Sequence, residues 1–366
     1  MSTLMKASEQ WSTRPADEKF NSLQSLHDAV THYQDISREA DHVDPRSLVA
    51  STREFDDDGT VRQEPVLVGP SGDAARFSHF SFGQVARLAG APAAYLRGLP
   101  AALAATNLNH GLGTRDADSD LSLLFSENGG LRLRAAVTDH YTRIWNSDIT
   151  ARLLRLVDRS PEWQPAPAAF DGSRGLYASD HDMFAFLVDN DRRIFETEKG
   201  GGLGRGFFVW NSEVGAASFG IMTFYYEYVC GNHRVWGASG VQELRIPHVG
   251  NADERAFSKL TVELRKYADS SASADEAKVT AARVKMLGDD KDAVLDAVLG
   301  LSGVRLTRQV AGKAFDRAVE HAEWYGDPKS VWGFTGGLTE IARDMPHTDD
   351  RVALDRTAGK IMKIAF

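Results

Sequence analysis

Asn128-Gly129-Gly130 sits between two apolar-rich runs, 121–125 and 131–137. Asn-Gly in that setting is a strong short-range hairpin signal, because the tight turn it favours needs positive φ at both central residues. The chain is therefore expected to hold at least one antiparallel strand pair. In the second run Leu131, Leu133 and Ala135 alternate with Arg132, Arg134 and Ala136. That two-residue period predicts a half-buried strand with two arginines on one face. Three later stretches extend the strand pattern. Residues 183–189 alternate Phe184, Phe186 and Val188 with Ala185, Leu187 and Asp189, residues 206–211 carry Phe207-Phe208-Val209-Trp210, and 217–229 is rich in aromatic residues. Between the hairpin and these strands, 148–157 places Ile149, Leu153, Leu156 and Val157 at helical spacing behind Asn146 or Ser147 as cap. Arg152, Arg155 and Arg159 lie on the opposite face of that helix. The order strand-helix-strand-strand-strand-helix over 131–267 predicts a central antiparallel sheet with a packed helix.

The flanks read differently. Residues 15–40 predict an amphipathic helix through Phe20, Leu23, Leu26 and Val30, and 46–69 a hairpin around Asp56-Asp57-Asp58-Gly59. Ser81 predicts a helix N-cap, with Gln84 completing a capping box. Short helices follow Pro92 and Pro100. From 252 onward helical periodicity dominates, over 252–267, 274–287, 290–300, 306–324, 328–342 and 350–365. The fold class is α+β with a helical C-terminal third. At about 100–200 residues per domain, 366 residues divide into an N-terminal mixed region at 1–120, the sheet core at 121–267 and a helical region at 268–366.

One cysteine, Cys230, excludes an internal disulfide framework and fits a reducing compartment. No run approaches the roughly 20 apolar residues of a membrane helix, and Met1-Ser2-Thr3-Leu4-Met5-Lys6 opens no signal core. The expectation is a soluble cytoplasmic chain with no membrane partner. Cys230-Gly-Asn-His233 spaces a thiol and an imidazole as metal ligands, but a structural zinc site needs four ligands and there is no second cysteine. Cys230, at the end of an aromatic strand, is expected to be buried and inert. The glycine-rich segment 199–206 lacks a Gly-Lys-Ser/Thr ending and precedes a strand, so it reads as a mobile hairpin loop instead of a nucleotide cradle. No Gly-x-Ser-x-Gly elbow and no His-Glu-x-x-His occurs. The reading is a non-enzymatic chain with no catalytic residue, no metal and no cofactor.

The net charge is −9, distributed unevenly. The first 60 residues carry twelve acidic and six basic side chains, whereas 131–159 set six arginines against three aspartates. Residues 192–205 set Arg192, Arg193, Lys199 and Arg205 against Glu196 and Glu198. A basic stretch of this kind reads either as a solvated face with local ion pairs or as a surface for phosphate. Aromatic residues interleave with it, in His140-Tyr141-Thr142-Arg143-Ile144-Trp145 and in Arg205-Gly206-Phe207-Phe208-Val209-Trp210-Asn211. Cationic grooves with aromatic platforms hold single-stranded nucleic acid. Arg132, Arg134, Arg143, Arg192, Arg193, Lys199 and Arg205 are the candidate phosphate contacts, and Tyr141 and Trp210 the candidate stacking platforms.

Three motif groups in order carry a family resemblance. They are Trp11-Ser-Thr-Arg-Pro15-Ala-Asp-Glu18-Lys-Phe20 with Ser22-Leu23, then Trp210-Asn-Ser-Glu-Val-Gly215 with Cys230-Gly-Asn232, then Ser330-Val-Trp332-Gly-Phe-Thr-Gly-Gly-Leu338-Thr-Glu340. Together they resemble the phage/plasmid-like family with domain of unknown function 932, the one departure being His233 where that family often has glycine. The resemblance implies residence on prophages and plasmids, in a bacterial host cell, and no established enzymatic activity. It tilts the expectation toward nucleic-acid metabolism on a mobile genetic element. The strand and helix order over 131–267 is also similar to the core of ring-forming single-strand annealing recombinases, an analogy of fold only. The leading expectation is a single-stranded nucleic-acid-binding protein, with annealing in recombination as its role and a homo-oligomer as a compatible state. The alternatives are a protein-interaction or host-defence inhibitor protein, and a metal-dependent hydrolase with scattered carboxylates.

Overall fold

The computed structural model describes residues 16–57, 59–69, 72–114, 120–166, 174–195, 202–227, 233–234, 244–269, 272–344, 354 and 357–365. The hairpin forms at Asn128-Gly129-Gly130, but the positive φ angles fall on Gly129 (66°) and Gly130 (148°) and not on Asn128, so a three-residue loop joins β5 (Leu121–Glu127) to β6 (Leu131–Thr138). That hairpin does not open the central sheet. It completes an N-terminal sheet with β1 (Ser37–Val43), β2 (Val49–Asp57), β3 (Thr60–Val68) and β4 (Ala74–Phe77), in the order β1-β5-β6-β4-β3-β2. All pairs are antiparallel except β4 with β6, where Arg76 faces Arg132 and Phe77 faces Leu133. The boundary expected between 120 and 121 therefore precedes two strands that complete this sheet. β5 lies between β1 and β6, a pairing that local sequence does not encode.

Helices α2 (His79–Leu88), α3 (Ala93–Arg97) and α4 (Ala101–Thr114) belong to this half, whereas α1 (Leu23–Asp35) buries Leu23, Leu26 and Val30 in the core of the second sheet. Leu108 and Leu112 of α4 and Val85 of α2 are buried in one core with Leu67, Leu121 and Leu133 of the sheet. The cap of α2 is Ser78, whose hydroxyl accepts the Ser81 N–H at 3.0 Å, and not Ser81. Gln84 closes no capping box. Its amide reaches across the molecule, as described below.

Helix α5 (Asn146–Arg159) leads to the second sheet, built from β7 (Trp163–Pro165), β8 (Leu176–Ala178), β9 (Met183–Ile194), β10 (Leu203–Asn211), β11 (Phe219–Glu227), β12 (His233–Arg234) and β13 (Leu244–Ile246). The path is β12-β11-β10-β9-β7, with β13 on β11 and β8 on β9, every pair antiparallel. Every residue of β10 is buried. Leu203, Phe207 and Val209 face a core shared with the helices, while Phe208 and Trp210 enter an aromatic cluster with Phe184, Phe186 and Phe224 on the other face. The strand begins at Leu203, so residues 203–206 of the expected loop are ladder. Lys199 and Cys230 lie outside the described residues.

The C-terminal third is helical, as expected: α6 (Ala252–Asp269), α7 (Ser273–Val284), α8 (Lys291–Leu299), α9 (Arg308–Glu320), α10 (Ala322–Tyr325) and α11 (Val331–Asp344). Helices α9 and α11 cross closely because Gly337 faces Ala314, where a Cβ would stand 2.0 Å from the carbonyl oxygen. The class is α+β, with antiparallel sheets and packed helices. The helix α5 buries Ile149 and Leu153 against α1 and the second sheet. Truncating Leu153 to alanine removes buried volume of the kind that costs about 2–5 kcal/mol.

Candidate nucleic-acid interface

The nine candidate residues separate by burial. Arg132, at the hairpin end of β6, is exposed. Arg134, two residues on, is buried, because the 180 and 213 segments cover that end of the strand. Its guanidinium lies 2.9 Å from a Glu213 carboxylate oxygen and donates to Ser37 Oγ at 2.9 Å and to the Asp180 carbonyl at 3.0 Å. Arg143 donates to the Glu39 carboxylate and to the Glu213 carbonyl, and its side chain is almost fully covered. Arg205 is buried against Asp275 at 3.0 Å with its guanidinium over the Tyr267 ring. Arg193 is half-buried and donates to the Asn190 carbonyl at 3.2 Å. The side chain of Arg192 lies outside the described residues.

The aromatic candidates are likewise occupied. Trp210 is buried beside Phe208, and Gly220 lies so close beneath it that a Cβ there would stand 1.9 Å from the indole. Tyr141 stacks on His248 at 4.8 Å, nearly parallel, and donates its hydroxyl to the Ser212 carbonyl at 2.7 Å. Trp210 is thus core, Tyr141 is committed to an internal stack, and Arg134, Arg143 and Arg205 are structural cations. Buried cations need a paired partner, which is why the sequence supplies Glu213, Glu39 and Asp275.

The segment 211–216 is a polar junction between the two sheets. The Asn211 amide donates to the Ile144 carbonyl at 2.7 Å and to Asn146 Oδ1 at 2.8 Å. The second Glu213 carboxylate oxygen accepts the Asn146 N–H at 2.9 Å. The Gln84 amide donates to the Val214 carbonyl at 2.8 Å while its oxygen accepts the Ala136 N–H at 2.9 Å. His248 closes the far side, bonded through Nδ1 to the Thr142 carbonyl at 3.0 Å. Burial draws the His248 pKa down to about 4, against the opposing pull of the Thr142 carbonyl, so the imidazole is neutral near pH 7.

The open basic feature lies elsewhere, between α5 and α6. A groove of about 320 Å³ there is lined by Arg152, Arg155 and Arg159 from the first helix and Arg265 from the second. The helix α5 is strongly amphipathic, and the spacing 152, 155, 159 aligns three arginines on its outer face. Arg152 is anchored. Its Cζ lies 3.4 Å over the Phe257 ring and it donates to the Asp148 carbonyl at 2.8 Å. Burial lowers its pKa, Asp148 opposes that, and Arg155 adds to it. Arg155, Arg159 and Arg265 are exposed, and among the described residues none of them forms an ion pair with a carboxylate. The sequence shows the three arginines of α5. It does not show that Arg265 faces them.

Among the described residues no three His, Cys, Asp or Glu side chains are grouped to hold a metal ion, and no helix is long and apolar enough to cross a membrane. No protein-family model, curated protein or solved structure matches the chain.

Proposed function

We propose that the protein binds a nucleic-acid strand through its phosphates along the α5–α6 groove. One observation supports this reading: Arg155, Arg159 and Arg265 line one groove, and among the described residues none of them is ion-paired with a carboxylate. Converging cations of this kind attract polyanions, and guanidinium groups match phosphate oxygens in a forked, two-bond geometry. The groove is narrow, about 320 Å³, at the low end of the roughly 300–1,000 Å³ typical of ligand sites. It suits one strand better than a duplex. The resemblance to a phage/plasmid-like family, drawn from motifs alone, is compatible with a strand-binding role on a mobile element. The site differs from the one expected from sequence: the arginines of α5 and α6 replace Arg134, Arg143, Arg205 and Trp210.

The test is titration of the purified protein with a labelled single-stranded oligonucleotide at about 50 mM salt, where electrostatic attraction is strong. Wild type binds, and Arg155→Ala with Arg159→Ala and Arg265→Ala loses most of that affinity while keeping the wild-type circular dichroism. Absence of binding by wild type, or full affinity in the triple variant, overturns the reading.

A further inference from the structure

The arginine groove has a floor as well as a rim. Leu156, which is half-buried, and Leu260 and Leu264, whose side chains belong to the core and are 1% and 5% exposed, line its bottom. Thr261, the remaining polar group of the lining, donates its hydroxyl to the Phe257 carbonyl at 3.0 Å. Arg152 has one planar face against Phe257. Arg155 and Arg159 stand about 6 Å apart along one helix by the rise of 1.5 Å per residue, and Arg265 stands on the other helix. The charges therefore flank a small apolar patch whose accessible part is mainly Leu156.

Resting on the strand-binding reading, we infer that the groove takes a base-bearing single strand with its bases turned inward over the leucine floor and its phosphates outward on Arg155, Arg159 and Arg265. A phosphate pressed onto leucine would lose water with no hydrogen bond in return, whereas a base face gains from the same burial. The floor offers no set of donors and acceptors matched to a base edge, so binding is independent of sequence. In a duplex the bases are paired and stacked inside and cannot reach the floor. Inorganic polyphosphate has charge and nothing to place there.

Four probes of matched length or charge test this on the intact protein: oligothymidylate, oligocytidylate, an abasic strand and inorganic polyphosphate. The two base-bearing strands bind alike, and the abasic strand and polyphosphate bind about tenfold or more weakly. Leu156→Asn, on a half-buried and uncharged position, brings oligothymidylate down to the abasic level and leaves abasic binding and the salt dependence unchanged. An abasic strand or polyphosphate that binds as tightly as oligothymidylate overturns the inference and leaves phosphate binding standing. Failure of all four probes to bind overturns both.

Discussion

Arg134 of β6 and Glu213, which follows β10, form a buried ion pair at 2.9 Å that joins the two sheets, with side-chain exposures of 4% and 2%. Each partner has further bonds, from Glu213 to the Asn146 N–H and from Arg134 to Ser37 and Asp180. Removing one partner leaves a buried charge with no counter-charge. Glu213→Ala should therefore destabilise the protein by about 3–5 kcal/mol in chemical denaturation. The double variant Arg134→Met with Glu213→Leu should lose less than Glu213→Ala, because no bare charge remains. A Glu213→Ala loss below about 1 kcal/mol would show that the pair does not hold the sheets together.

The aromatic core makes a second prediction. Gly220→Ala drives a methyl group into the Trp210 indole, since the two cannot occupy the same space at 1.9 Å. It should lower the melting temperature sharply, and Trp210→Phe in the same chain should restore part of the loss. Trp210→Ala alone should cost about 3–5 kcal/mol of stability through the cavity it leaves. At a temperature where that variant stays folded, its strand affinity should equal wild type. A selective loss of strand binding would return Trp210 to the interface.

His248 gives the fold a pH dependence with a definite sign. Its folded pKa is depressed to about 4 while the unfolded chain titrates near 6.5. As pH falls from about 6.5 to 4 the unfolded state takes up a proton that the folded state refuses, so stability is lost across that window. The full effect is at most about 3 kcal/mol. Denaturation of wild type and His248→Asn at pH 7 and pH 4.5 separates this from the carboxylates. The variant should show the smaller fall, and an equal fall in both would mean that His248 does not titrate as described.

The parts of the fold set by local chemistry were legible. Asn128-Gly129-Gly130 forces its turn, and the strand and helix periods follow from which faces are buried. Partnership between strands adjacent in the chain was legible, as in β2–β3, β5–β6 and β9–β10–β11, and partnership between distant strands was not. Nothing within 121–138 shows that β5 inserts beside β1 and that β6 runs parallel to β4. Alternation fails at Arg134, where a register shift against β5 puts Ala136 and not Ala135 in the core of Leu133, and the residues that cover Arg134 come from distant segments at 180 and 213. Trp210 misled for another reason: β10 is buried on both faces, so no position along it faces solvent. The groove was half legible. Its α5 arginines stand out by spacing, whereas Arg265 joins them only through the packing of α6.

The central claim concerns charge in that groove, and the salt dependence of strand binding tests it most directly. On single strands the slope of log affinity against log salt is about −0.7 per phosphate neutralised. Wild type is expected to show a slope set by several contacts, flattened by roughly 0.7 for each of Arg155→Ala, Arg159→Ala and Arg265→Ala. Arg308→Ala is the control, since Asp292 and Asp296 already neutralise that guanidinium, and it should leave the slope unchanged. Equal slopes in wild type and the three groove variants would contradict the account.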